Sequence, residues 1–283
     1  MGVLIDFCVQ LHFFNIAMTK TITLKTPISY YGGKQSMLSE ILPRIPDHHT
    51  YIEPFFGGGA VFFAKPPSKA EVVNDINNRL ITFYRVLKYD FDDLKDKVDE
   101  TFHSRAQHKA ADQEYDSGAI EINDQLAMAW SIWVQTNMSF SCVIGGGFGY
   151  DRKGGVAKKI ANKKLGFTQA YQDRLRTVTI ESYDVLKVMK AYDGPDAFFY
   201  LDPPYVSSDK GHYKGYSMED FTRLLDFCST MQGKFLLSSY PEDILIEYRD
   251  KFAWSHHDTE KTLAVDGRRK EKKTKVECLT WNY

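Results

Sequence analysis

The stretch from Thr50 to Asp75 constrains the fold more than any other part of this 283-residue chain. Thr50-Tyr51-Ile52-Glu53 reads as a short strand running into Pro54-Phe55-Phe56-Gly57-Gly58-Gly59, and residues 60–64 then start an apolar helix. Glu71-Val72-Val73-Asn74 is a second strand, closed by Asp75, after which Ile76, Leu80, Phe83 and Leu87 recur on one helical face. This succession opens a doubly wound α/β sheet. The glycines let a ligand approach the backbone and let the next helix pack closely, although they also serve as plain punctuation. The loop is not GxGxxG and no Walker lysine follows, so it is not a phosphate cradle. Asp75 follows Glu53 by 22 residues, near the spacing at which a second-strand acid reaches ribose hydroxyls; an acid here can equally cap the next helix.

The pattern is then interrupted. Residues 88 to about 118 are polar and helical in character, and a stronger helix follows with Leu126, Trp130, Trp133 and Asn137 on one side. Next come a glycine-rich stretch, residues 145–155, and a basic cluster of Arg152, Lys153, Lys158, Lys159, Lys163, Lys164, Arg174 and Arg176. This reads as an inserted helical subdomain carrying a mobile basic loop or hairpin. The α/β pattern resumes at Val178-Thr179-Ile180 and at Ala197-Phe198-Phe199-Tyr200-Leu201, a buried-strand run ending at Asp202. Ser217 and Asp220 form a capping box before Phe221, Leu224, Leu225 and Cys228. Phe235-Leu236-Leu237-Ser238 is another core strand. Residues 252–257 and 275–283 suit an antiparallel ribbon joined by a second basic cluster, Arg268, Arg269, Lys270, Lys272, Lys273 and Lys275.

Asp202-Pro203-Pro204-Tyr205 stands where open α/β sheets bind ligands, outside the carboxyl end of a strand. An exocyclic amine on a heteroaromatic base is a poor nucleophile because its lone pair is delocalised into the ring. Two acceptors aimed at its N–H groups favour the tetrahedral geometry that frees the pair. Asp202 offers a carboxylate, and the Pro-Pro unit offers a carbonyl on a stiff backbone without N–H donors. Tyr205 adds a face for stacking a base. The alternative is a strand-terminating turn, since Asp and Pro are common turn formers. Pro27-Ile28-Ser29-Tyr30-Tyr31-Gly32-Gly33-Lys34 reads by itself only as a turn leading into a helix.

Together these segments resemble the Dam-like family of adenine-specific DNA methyltransferases. The resemblance runs from about Pro27 to the C-terminus and is strongest at Tyr30 to Lys34, Glu53 to Phe63, Asp75, and Phe199 to Tyr205. It implies a methyltransferase-type sheet, mostly parallel with an antiparallel C-terminal ribbon, that transfers methyl from S-adenosylmethionine to the N6 amine of a flipped adenine. The implied division is an extension at 1–24, a cofactor half at 25–87, a mainly helical target-recognition insert at 88–165, and a catalytic half at 166–283. Asp202, Pro203, Pro204 and Tyr205 would be catalytic. Tyr30, Lys34, Glu53, Phe55, Gly57, Gly59, Asp75, Asp184 and Asp202 would face the cofactor, with Phe56 an alternative to Phe55 beside the sulfonium. Arg152, Lys153, Lys158 and Lys159 would contact double-stranded DNA. For Phe140, in Asn137-Met138-Ser139-Phe140-Ser141, core packing and a DNA role both stand open.

Composition sets the remaining bounds. A net charge of −1 says nothing about nucleic acid, whereas two local basic clusters suit phosphate tracking. Cys8, Cys142, Cys228 and Cys278 lie far apart without CxxC spacing, as in a reducing cytoplasm. No apolar run reaches the roughly 20 residues of a membrane helix. Residues 2–17 lack the features of a secretory signal, and Met18 is an alternative start. The pairs His48-His49 and His256-His257 do not suit a metal site and fit the surface. Rival readings are the same chemistry on cytosine N4 or RNA adenine, a nicotinamide enzyme, and a DNA-binding module with a degenerate core.

Overall fold

The computed structural model describes residues 24–117, 125–206, 216–262 and 274–283. The extension with Met18 and Cys8, and the second basic cluster from Arg268 to Lys273, lie outside them. Seven strands form one mixed sheet in the order β3-β2-β1-β4-β5-β7-β6. They are β1 (Thr50–Glu53), β2 (Ala70–Asn74), β3 (Thr179–Glu181), β4 (Ala197–Leu201), β5 (Lys234–Ser239), β6 (Ser255–Thr262) and β7 (Thr274–Trp281). The first five run parallel; β7 joins β5 antiparallel and pairs with β6 over eight residues.

Among the described residues eleven α-helices connect and cover the sheet: α1 (Leu38–Ile41), α2 (Ala60–Ala64), α3 (Asn78–Tyr89), α4 (Phe91–Asp99), α5 (Arg105–Ser117), α6 (Gln125–Met138), α7 (Gly155–Leu165), α8 (Ala170–Leu175), α9 (Val185–Tyr192), α10 (Met218–Thr230) and α11 (Asp243–Phe252). The apolar run of β4 is explained by burial on both faces. Phe198 and Tyr200 enter one core cluster, Phe199 and Leu201 the other. The expected capping box is present, with Ser217 Oγ accepting from the Asp220 amide and the Asp220 carboxylate from the Ser217 amide.

The segment 88–165 contributes several of its apolar residues to the first of those clusters. Ala129, Ile132, Trp133, Val134 and Met138 of α6 share it with Leu80, Phe83 and Leu87 of α3. From the middle onward α6 is buried nearly all round, which no single apolar stripe in its sequence announces. Ile76, expected on the buried face of α3, lies before that helix and is 76% exposed. The chain is still turning out of β2 there, and Asn77 supplies the cap by accepting from the amides of Arg79 and Leu80. Lys158, Lys159, Lys163 and Lys164 lie on a helix, α7, and Arg174 on α8, not on a loop.

Candidate active site

Strand order reverses between β1 and β4: from β1 the chain continues to β2 on one side, from β4 to β5 on the other. The crevice at such a switch point is where doubly wound sheets bind ligands. A cavity of about 800 Å³ opens there, lined by Tyr30, Lys34, Glu53, Asp75, Asp202 and Tyr205 among others. The expected residues Phe55, Gly57, Gly59, Asp184, Pro203 and Pro204 also line it, so segments up to 175 positions apart converge.

Lys34 and Asp202 form its central pair. Lys34 is almost fully buried, its Nζ lies 2.7 Å from Asp202 Oδ1, and it also donates to the Gly32 carbonyl at 3.0 Å. Burial alone would lower the ammonium's pKa, but the carboxylate reverses this and raises it, so Lys34 stays charged. The same ammonium sits 4.7 Å from the centroid of the Tyr205 ring. Tyr205 Oη lies 3.1 Å from Ser238 Oγ, and Tyr240 stands 4.3 Å away, ring to ring. Burial pushes the Tyr205 phenol pKa up, so the ring stays neutral.

Glu53 is buried at the end of β1 and accepts from the Tyr51 hydroxyl at 2.6 Å. Burial raises its pKa to about 8; the Tyr51 hydrogen bond opposes this, and the charge of Asp202 adds to it. A cationic ligand beside it would favour its ionised form.

The glycine loop is shaped by what covers it. Gly57 and Gly59 have φ of +46° and +66°, and a Cβ on Gly58 would come within 2.8 Å of Tyr30 Cβ. Tyr30 therefore rests on the loop from a distant segment. Asp75 fastens the loop from the other side, accepting from the Gly57 amide on one oxygen and the Asn77 amide on the other, both at 2.9 Å. It does not cap α3. Asp184 lines the cavity and is also the N-cap of α9, accepting from the Lys187 amide at 3.0 Å. Phe56 is a core residue 4.6 Å from Tyr84, ring to ring, while half-buried Phe55 meets Tyr216 edge-on.

The first basic cluster divides. Arg152, Lys153, Lys158 and Lys159 are exposed. Lys163 donates to the Thr26 carbonyl, and Lys164 to those of Asp99 and Thr101. Arg174 is paired with buried Glu71. Three of the eight thus fasten the chain to its neighbours, and Arg176 is exposed. Phe140 is 74% exposed, which removes core packing as its explanation. It starts a turn in which Ser141 and Cys142 hold φ near +58° and +59°. Cys142, Val143 and Ile144 of that turn line the cavity.

Sequence reading missed Ile76, Tyr216, Tyr240 and Glu277 as cavity residues. Only Ile76 carried a signal, its place directly after Asp75. Of the histidines, His48 is half-buried, with its ring nitrogens 2.7 Å from Pro46 O and Ser68 Oγ, so the surface expectation fails for it. No group able to hold a metal and no helix able to cross a membrane occurs among the described residues.

The family model for D12 class N6 adenine-specific DNA methyltransferases matches residues 30–276. The chain belongs to this family. Relatives agree. The type II methyltransferase M1.LlaDCHI of Lactococcus lactis subsp. cremoris is 29% identical, over 95% of this chain and 99% of its own. M.CviBI of Paramecium bursaria Chlorella virus NC1A is 24% identical over 83% and 90%. The DNA N-6-adenine-methyltransferase of Escherichia phage P1 is 42% identical over 57 residues, 20% of this chain and 7% of its own. The protein is an adenine-specific DNA methyltransferase, and its activity requires a methyl donor.

Proposed function

We propose that the donor is S-adenosylmethionine, seated on the glycine loop, and that the target adenine is flipped out of double-stranded DNA against Asp202-Pro203-Pro204-Tyr205. The observation that carries this is the Lys34–Asp202 pair at the switch point, inside a cavity large enough for a nucleoside-type cofactor beside an extruded base. The cofactor fits the residues present. Gly57 to Gly59 permit close backbone approach, exposed Ile76 offers an apolar face next to Asp75, and Glu53, Asp75 and Asp184 are acids suited to a cationic, ribose-bearing ligand. Phe55 would stand near the sulfonium. Bound S-adenosylmethionine supplies a methyl group already activated by that sulfonium.

Asp202 accepts from the target amine and meets the positive charge that develops on it. Lys34 keeps the Asp202 carboxylate ionised and aimed, a preorganised arrangement that needs no rearrangement during reaction. The carbonyl of the Pro203–Pro204 unit is the second acceptor, and Tyr205 stacks the base. Arg152, Lys153, Lys158 and Lys159 hold phosphates, while the segment 88–165 reads sequence. The free thiols Cys142, Cys228 and Cys278 agree with a cytoplasmic setting.

Asp202→Ala tests the reading. Methyl transfer to duplex DNA should fall by at least about 10²–10³-fold, the cost of losing one preorganised hydrogen-bonding group. Circular dichroism and thermal melting should show a folded protein. Transfer near the wild-type rate would sink the mechanism.

A further inference from the structure

Arg105 opens α5 and is exposed to solvent. Its guanidinium carbon stands 4.6 Å from the Tyr150 ring centroid and 5.2 Å from that of Phe148. Those rings are nearly parallel, their planes 10° apart. Phe148 is held in turn by a stacked His103 at 4.7 Å and an edge-on His108 at 5.7 Å. The backbone carrying the rings is pinned, with the Phe140 amide donating to the Gly147 carbonyl and the Gly149 amide to the Met138 carbonyl, both at 2.7 Å. The fold thus holds an exposed guanidinium beside two aromatic rings, with no carboxylate to neutralise it among the described residues.

The surroundings indicate what such a group would meet. Arg152, Lys153, Lys158 and Lys159 follow Tyr150 closely in sequence and are exposed, a surface complementary to phosphates. The helix that Arg105 opens also carries Tyr115, which lines the cavity. Ten residues of α-helix span about 15 Å, or roughly four base-pair steps of 3.4 Å.

We propose that Arg105 is a specificity-determining residue, held by Tyr150 and Phe148 so that its guanidinium reads a guanine within a few base pairs of the target adenine. This rests on the duplex reading given above. Guanine is the base that matches a planar fork of donors, because its major-groove edge presents O6 and N7 as paired acceptors. A phosphate would be satisfied by any cation, whereas lysine keeps the charge and loses the fork. That difference makes the assignment testable.

The full chain, Arg105→Lys, Arg105→Ala and the control Lys158→Ala are expressed in a methylation-free host, and the modified motif is read by single-molecule sequencing of host DNA. Purified proteins are then compared on the cognate duplex and on duplexes substituted at each motif position. Melting temperatures confirm folding. Both Arg105 variants should lose about 10- to 100-fold of the discrimination at one G·C pair while keeping it elsewhere. Lys158→Ala should slow all duplexes alike. Discrimination unchanged in Arg105→Lys, a uniform loss on every duplex, a misfolded Arg105→Lys, or a wild-type motif without a G·C pair would overturn the assignment. A wild-type protein that modifies no adenine would instead overturn the duplex reading beneath it.

Discussion

Two buried charge clusters lie along the same strands, and they are built to opposite ends. Toward the amino ends, Glu71 of β2 accepts from Lys65 Nζ at 2.5 Å, from the Ser68 amide at 3.1 Å and from Arg174 Nη2 at 2.8 Å, while Arg174 Nη1 engages its other oxygen. Burial would raise the Glu71 pKa, but Arg174 and Lys65 prevail and lower it. At the carboxyl ends, Glu53 receives one hydroxyl, and its pKa stays raised near 8. Tyr51 connects the two, its ring 4.2 Å from Lys65 Nζ and its hydroxyl on Glu53. The first cluster is charge-paired from within the chain, leaving only Arg174 Nε without a hydrogen bond, and pins α2 and α8 to β2. The second faces a cavity, where Asp202 is paired with Lys34 while Glu53 keeps its raised pKa. Under the proposed function the closed cluster serves stability and the open one binding, and a single strand separates them.

Breaking the closed cluster should cost most. Glu71→Ala strands two buried cations and should destabilise the fold by about 3–5 kcal/mol in urea unfolding. A loss under 1 kcal/mol would show that the triad is no fastening.

Glu53→Gln should have an effect of similar size, and it depends on pH. A carboxyl whose pKa is raised on folding stabilises fully below its unfolded value of 4.5 and loses that contribution as pH rises through about 8. Wild type and Glu53→Gln should therefore match near pH 4. By pH 9 the variant should exceed wild type by as much as about 5 kcal/mol. Parallel stability–pH curves would show that Glu53 is not held neutral. Under the proposed function the variant should also bind S-adenosylmethionine more weakly in calorimetry.

Lys34→Met should cost the least stability, about 1–2 kcal/mol, because Asp202 can be hydrated from the cavity. Methyl transfer should nevertheless fall steeply. If Lys34→Met destabilised as much as Glu71→Ala, the distinction between open and closed clusters would fail.

What the sequence revealed follows from how local each feature is. The strand, glycine loop and helix from Thr50 to Ala64, the doubly buried run of β4 and the Ser217–Asp220 cap are contiguous, so periodicity and residue type suffice. The Lys34–Asp202 pair joins positions 168 apart, and no spacing rule reaches it; Asp202 was legible at its strand end, while only family resemblance had brought Lys34 to the site. Tyr216, Tyr240 and Glu277 enter the cavity from separate loops and strands, each unremarkable in its own window. The basic run misled in another way, because charge looks the same in sequence whether a lysine meets a carbonyl, as Lys163 does, or open water, as Lys158 does.

The seat of Tyr30 on the glycine loop also constrains how this site can change over generations. Its ring approaches Gly57, and its Cβ leaves no room for a methyl on Gly58. A side chain at Gly58 is inaccessible while Tyr30 stays in place, and a smaller residue at position 30 leaves the loop uncovered. Neither step alone follows an easy path, so the two positions are tied as one heritable unit. A Gly58→Ala variant should recover only through a change that removes or displaces the Tyr30 Cβ, such as Tyr30→Gly, and not through other shortenings of that side chain.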